Sequence, residues 1–265
     1  MSVPFRIFSR RGRGISLLVP FRSDSEHRTR VWAWLRRYWQ NELPGAEIVM
    51  GDDDSVPFSK TAAVNKAFSS AKGDIIVILD ADCYLPGSVI LDCSANIREA
   101  RRSRKKLWYI PYRRFYRLTE AATLRILDSD PARPFSFGDP PPPRMTEPVR
   151  NSNYGHWFGA LVQIMPSEAF TAAGGMDERF AGWGGEDVSF MNAVDTLYGP
   201  HRTTPNGVQH LWHPHIGVEH TERKWEGQAE AGNNNQLARR YEEARGRSAR
   251  MHALTREPGA GEPRR

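Results

Sequence analysis

Three short stretches carry side chains whose types and spacing suit chemistry. Asp80-Ala81-Asp82 follows directly on Ile75–Leu79, an apolar run rich in β-branched residues that reads as a buried strand of a parallel sheet. Ligands of open α/β sheets sit at the carboxyl ends of the strands, so both acids are expected at the mouth of a cleft. Two carboxylates this close repel unless a cation compensates them, and hard divalent ions prefer oxygen ligands. The pair reads as a metal and phosphate site, against the plainer alternative of a solvated turn that caps the next helix.

The second stretch is Gly182-Trp183-Gly184-Gly185-Glu186-Asp187. Three glycines around a tryptophan cost backbone entropy and build no core. They permit a tightly turned loop that sets a flat ring against a ligand. Acids at the start of the helix that follows are favoured by its dipole, and an acid in a cleft can act as a general base. The alternative is a glycine-rich turn with Asp187 as helix cap. The third stretch, His210-Leu211-Trp212-His213-Pro214-His215, offers imidazoles. An extended strand would put His213 and His215 on one face and His210 on the other, whereas a turn would bring His210 and His213 together. The three could form a zinc site of their own, or one of them could join Asp82 in a mixed oxygen–nitrogen set able to hold a metal beside phosphate oxygens, against the plainer alternative of structural or surface histidines. His27, His156, His201 and His220 carry no spacing argument.

The elements that must position these residues follow from the pattern. Gly14–Pro20 is a first strand, stopped by proline. Ser23-Asp24-Ser25-Glu26 starts a helix whose Val31, Trp34, Leu35 and Tyr38 share one face. Ala46–Met50 is a second strand, Lys60–Ser70 a helix with small residues four apart, and Ile75–Leu79 the third strand. This alternation predicts an α/β, doubly wound, mostly parallel sheet flanked by helices. A helix over Ser88–Ala100, strands near Lys106–Pro111 and over Phe158–Met165, and helices over Val188–Leu197 and Asn235–Ala244 complete the expectation. Residues 1–14 read as a basic lead-in and 128–149, with four consecutive prolines at Pro140–Pro143, as a surface excursion. Residues 246–265 read as a disordered tail.

At 265 residues the chain can bury a substantial core. Its mean hydropathy of −0.60 is low, yet aromatic residues are plentiful, which suits a polar surface with a ring-lined cleft. A net charge of +6 attracts anionic or nucleotide-linked ligands without naming one. No nucleic-acid motif accompanies it, so no nucleic-acid partner is expected. Cys83 and Cys93 make neither a disulfide framework nor a cysteine-based zinc site. No secretory apolar region and no membrane-length apolar run is present. The expectation is a cytoplasmic protein, with peripheral membrane contact through basic surface left open.

Taken in order, these stretches resemble the inverting glycosyltransferases of the GT-A (Rossmann-like) fold, with features of family 2 and of the β-1,4-galactosyltransferases. Val19-Pro20-Phe21-Arg22 followed by Glu26-His27 is similar to the galactosyltransferase opening, Leu79-Asp80-Ala81-Asp82 to the family's Asp-x-Asp, and Gly182–Asp187 to its acceptor-site signature. The resemblance covers about residues 15–240 and implies one catalytic domain over 15–245, with a nucleotide-sugar half near 15–110 and an acceptor and metal half near 150–245. It implies donor contacts from Pro20, Phe21, Arg22, Asp53, Asn65, Asp80, Ala81, Asp82, Trp183 and Gly184. It implies metal ligation by Asp82 and His213, with His210 standing where the family has methionine, and catalysis by Asp187 with Glu186 on sugar. The implied cofactor is Mn²⁺, with Mg²⁺ as the alternative, and the implied donor a UDP-sugar. The acceptor would be a glycan, protein or lipid-linked hydroxyl, and the setting a microbial or viral host cytosol. The 128–149 insert matches nothing in the family. A sugar-phosphate nucleotidyltransferase, or a carbohydrate- or nucleic-acid-binding protein without catalysis, are the rival readings; the Gly182–Asp187 platform counts against the first and the intact acids against the second.

Overall fold

The computed structural model describes residues 12–55, 58–147, 161–182, 184–214 and 229–261. Strands β1 (Ile15–Pro20), β2 (Glu47–Gly51) and β3 (Ile75–Leu79) lie parallel with β1 in the middle, Leu17 facing Ile48 on one side and Val77 on the other. Strand β7 (Val162–Pro166) then runs antiparallel to β3 and to β5 (Tyr109–Ile110), and β8 (Arg202–Thr203) pairs parallel with β5. The six-stranded order is β2-β1-β3-β7-β5-β8, so β7 alone opposes the other five. Both β1 and β3 are buried along their whole length, as apolar strands covered on two faces must be.

Helices α1 (Glu26–Glu42), α2 (Lys60–Ser70) and α3 (Gly87–Arg102) connect and cover these strands. Ser25 caps α1 by accepting the Arg28 N–H (3.2 Å), and the expected face is buried together with Trp32 and Trp39. The small residues of α2 let it press on the sheet: a Cβ at Gly51 would stand 1.8 Å from the Ala63 carbonyl oxygen. Only glycine allows β2 to end there.

A second, three-stranded sheet of order β4-β9-β6 stands at the carboxyl end of β3. It comprises β4 (Cys83–Tyr84), β6 (Arg114–Arg117) and β9 (Gly207–His210), none of them legible as strands in the sequence because each is so short. Helix α4 (Glu120–Leu127), also unexpected, follows β6. The proline-rich excursion holds, in its described part, a single 3₁₀ turn at Pro143–Met145. It is pinned to β9, since the Gly207 N–H donates to Asp139 (2.7 Å). Helices α5 (Ser167–Ala172), α6 (Glu186–Leu197) and α7 (Ala229–Ala244) complete the order up to residue 244. Phe158 and Gly159 lie outside the described residues.

The tail expectation is corrected. Ser248–Thr255 forms a further helix, α8, with Met251 and Leu254 buried, and Ala260 accepts the Glu178 N–H (3.1 Å). Its sparse apolar residues looked too few to fold alone, but they complete a surface already formed by α6 and α7.

Candidate metal and catalytic site

Strand β3 delivers Asp80 and Asp82 at its carboxyl end, and β4 begins at the next residue. Because Cys83 pairs antiparallel with His210, β9 brings His210 beside Asp82. The chain then turns, with the Leu211 N–H donating to the Asp82 carbonyl (2.7 Å), and His213 reaches the same carboxylate. His210 Nε2 stands 3.5 Å from Asp82 Oδ1, and His213 Nε2 stands 3.3 Å from Oδ2. One ligand atom from each of the three residues lies within 4.8 Å of the others. The turn thus brings His210 and His213 together; His215 lies outside the described residues.

The three groups shift in different directions, and at His213 the Asp82 carboxylate overcomes burial and raises the imidazole. Burial opposes the charge on Asp82, but His210, His213 and Arg28 outweigh it and hold the carboxyl well below the usual carboxylate range. Burial pushes the His210 imidazole down, which keeps it neutral and able to donate a lone pair. Asp82 Oδ1 and His210 Nδ1 are buried without a hydrogen-bond partner. Two orphaned polar atoms in one dry cluster are costly unless something else binds there. One carboxylate and two imidazoles fit a divalent transition ion such as Mn²⁺ better than the all-oxygen shell that Ca²⁺ takes.

Asp80 points elsewhere. Its Oδ1 pairs with Lys60 Nζ at 2.7 Å, and the same ammonium pairs with Asp187 Oδ1 at 2.8 Å and hydrogen-bonds Oδ2 at 3.0 Å. Lys60 opens α2, where the dipole disfavours a cation. That misplacement is the one signal of it in the sequence. Its charge is retained despite burial because Asp187, Asp80 and Glu186 surround it and raise its pKa. At Asp187, burial and the neighbouring Glu186 and Asp80 raise the carboxyl well above the usual range, while Lys60 opposes them.

Asp187 is no helix cap. The N-cap of α6 is Gly185, at φ +89, and no side chain caps the helix. Gly182 and Gly184 also hold positive φ, at +68 and +110, so the loop is built on conformations that other residues resist. The Gly184 N–H donates to Glu186 (3.0 Å), which turns the Glu186 carboxylate back on the loop while Asp187 faces Lys60. Trp183 lies outside the described residues.

Several residues implied as donor contacts also have partners within the chain. The Phe21 ring is buried against Trp32 (6.0 Å between centroids), and Pro20 ends β1 opposite Gly51. Arg22 donates to the Ser55 carbonyl (2.9 Å), lies 5.1 Å over Phe58 and keeps Nη2 buried and unpaired. Asp53 accepts the Ser55 and Ser59 N–H groups (3.1 and 3.0 Å), tying the loop before α2. Asn65 grips the Met176 backbone with both ends of its amide (2.8 and 2.9 Å) and bonds Glu178 (2.8 Å). Ala81 is buried between the two acids. An open cleft of about 460 Å³ lies beside Asp53, Ser55, Asn65 and Glu178.

A mostly parallel α/β sheet that ends in an Asp-x-Asp beside an antiparallel return strand is the arrangement of a GT-A, Rossmann-like fold. Residues 56–103 match the family model described as glycosyl transferase family 2, and residues 144–197 that described as the N-terminal domain of galactosyltransferase. Chondroitin sulfate N-acetylgalactosaminyltransferase 2 of Mus musculus and that of Homo sapiens are each 28% identical over 148 residues. That match covers 54% of this chain and 24% of each relative, so the chain spans about a quarter of the length of the curated relatives it matches. Over these stretches the chain is similar to family 2 glycosyltransferases and to galactosyl- and N-acetylgalactosaminyltransferases. Among solved structures it is similar to the catalytic domain of Drosophila β-1,4-galactosyltransferase 7 in complex with xylobiose (15% identity, 75% of this chain, 71% of that one, TM-score 0.43). It is similar also to the mannosyltransferase PcManGT of Pyrobaculum calidifontis in complex with GDP-Man and Mn²⁺ (12%, 93%, 71%, TM-score 0.48). Likenesses this loose assign no residue a role.

Proposed function

We propose that the protein is a metal-dependent, inverting glycosyltransferase that moves a sugar from a UDP-linked donor to a hydroxyl of a glycan or glycoconjugate. One observation carries the reading: the Asp82–His210–His213 cluster lies two residues along the chain from Asp80, and Asp80 shares the Lys60 ammonium with the largely buried acid Asp187. The relation to galactosyl- and N-acetylgalactosaminyltransferases supports the substrate class. Asp82, His210 and His213 would hold the ion, which when bound supplies Lewis-acid stabilisation of a diphosphate leaving group.

The chain's own residues account for the proton. Lys60, Asp80 and Asp187 together carry one excess negative charge in a buried place. An acceptor hydroxyl that attacks the anomeric carbon must lose its proton, and Asp187 takes it at a carboxylate oxygen. Proton uptake cancels the excess charge of these three groups, and Lys60 stays compensated by Asp80. A single base on the side away from the leaving group gives inversion. Gly182, Gly184 and Gly185 let the loop close over the acceptor and exclude water.

The test is transfer and hydrolysis across a panel of nucleotide sugars, before and after chelation and with Mn²⁺ restored. Turnover of a UDP-sugar that disappears on chelation and returns with Mn²⁺ is expected. Full turnover in the metal-free protein, or none with any donor, would overturn the reading.

A further inference from the structure

Between the two imidazoles of the cluster the backbone is held at every turn. The His210 carbonyl accepts the Leu118 N–H (2.9 Å), and the Leu211 N–H donates to the Asp82 carbonyl (2.7 Å). The Trp212 N–H donates to Thr123 Oγ1 (2.7 Å), and the Trp212 carbonyl accepts from His27 Nε2 (2.8 Å). The His27 ring also stands edge-on to the Trp212 indole, with centroids 5.1 Å apart. Thr123 lies on α4, fully buried, and His27 lies in the first turn of α1. These two helices are themselves joined, since Arg30 pairs with Asp128 (2.9 Å) and Trp34 Nε1 donates to the Ser129 carbonyl (2.9 Å).

We propose that Thr123 and His27 are positioning residues of the metal site, fixing the Trp212 peptide so that His210 and His213 converge on Asp82. Both side chains bond the Trp212 peptide. Their task is geometric: a four-residue turn with two ligand rings has many backbone states, and only those that aim both rings inward bind an ion. Bonds that keep a turn in one state lower the ordering cost of binding. The orphaned Asp82 Oδ1 and His210 Nδ1 are what a turn held from outside leaves behind. Helix α4 belongs to the connection between β6 and β7, so this segment braces the site in addition to covering the surface.

The inference rests on the metal reading above, and the experiment separates the two. Mn²⁺ is titrated calorimetrically into the full chain, with uridine diphosphate present and absent, for the wild type, Asp82→Asn, Thr123→Val, Thr123→Ser and His27→Phe. Thr123→Val keeps the shape but removes the acceptor for the Trp212 N–H, and is expected to weaken Mn²⁺ binding roughly tenfold, the lower end for a residue behind the ligands. Thr123→Ser keeps the hydroxyl and should bind as the wild type does. His27→Phe, on a half-exposed first turn, tests the carbonyl side should Thr123→Val fail to fold. A purely structural role would lower the melting temperature of Thr123→Val and His27→Phe with Mn²⁺ affinity unchanged, and that result overturns the inference. Equal binding by wild type and Asp82→Asn, or none by either, overturns the metal reading itself.

Discussion

Asp187 and Lys60 form a largely buried ion pair, and the proposed reaction makes Asp187 its base. Asp187→Asn preserves size but cannot accept a proton, so turnover should fall about 10²–10⁴-fold with the fold and donor affinity kept. Because Gly185 is the helix cap, any loss in this variant cannot be a capping effect. Glu186→Gln is the control: its carboxylate serves the Gly184 N–H, and a selective loss there would move the base one residue upstream. The pH profile gives a second check. Asp187 is raised by burial, Glu186 and Asp80, and Lys60 alone restrains it. Activity should therefore fall as pH drops through a value above the ordinary carboxylate range. Removing the ammonium in Lys60→Met raises Asp187 further, so the acid limb of kcat/KM should move to higher pH. Stability should fall by about 3 kcal/mol, as when one partner of a buried pair is lost. A Lys60→Met profile with its acid limb unmoved would detach Lys60 from the base.

At the scale of elements, the segment from Met176 to Ala181 leads into the glycine loop and is clamped at both ends. Asn65 of α2 holds the Met176 backbone, and Asn234 of α7 accepts the Ala181 N–H (3.2 Å) and donates to its carbonyl (2.8 Å). Between them Asp177 is buried and bonded by Arg179 and by the Tyr241 hydroxyl (2.8 Å), while Arg179 also pairs with Glu257 beyond α8. The segment that leads through the glycine loop to Asp187 is thus anchored on α2, α7 and α8. Asn65→Ala leaves two buried backbone groups unpaired and should cost about 1–3 kcal/mol. It should lower turnover through the loop while donor affinity holds, which calorimetry with uridine diphosphate and urea denaturation together would show. A loss of affinity at unchanged stability would instead make Asn65 a donor contact.

Across the whole molecule, the Asp82–His210–His213 cluster joins the large sheet, through β3, to the small one, through β9. An ion bound there would tie distant parts of the chain and stabilise the folded state by mass action. At a hundredfold excess over Kd this amounts to about 2.7 kcal/mol, or roughly 5–10 °C in melting temperature for a chain of this size. Mn²⁺ should raise the melting temperature of the wild type and leave Asp82→Asn unmoved; equal shifts in both would place the ion elsewhere. Among the described residues no helix is long and apolar enough to cross a membrane.

What the sequence determined by itself is what local physics encodes. The β-branched run of β3, the alternation of strands and helices before it, and the Ser25 cap of α1 depend on neighbours in the chain, and each stands as read. So do the candidate acids at the end of β3, because a strand's end is a local event. Tertiary structure decided which of these residues meet. His210 faces Asp82 because β9 pairs with β4, strands too short to leave a periodic signal, and this pairing selected the turn geometry over the extended one. Lys60 reaches Asp80 and Asp187 because α2 starts beside the end of β3, a proximity that no spacing in the chain records. The packing of the Phe21 ring on Trp32 and the bonds of Asn65 to Met176, two residues that the resemblance implies as donor contacts, likewise form only once those distant partners arrive. The last helix shows the same division: Met251 and Leu254 are too sparse an apolar stripe to fold alone, and become core only where α6 and α7 provide the surface they complete.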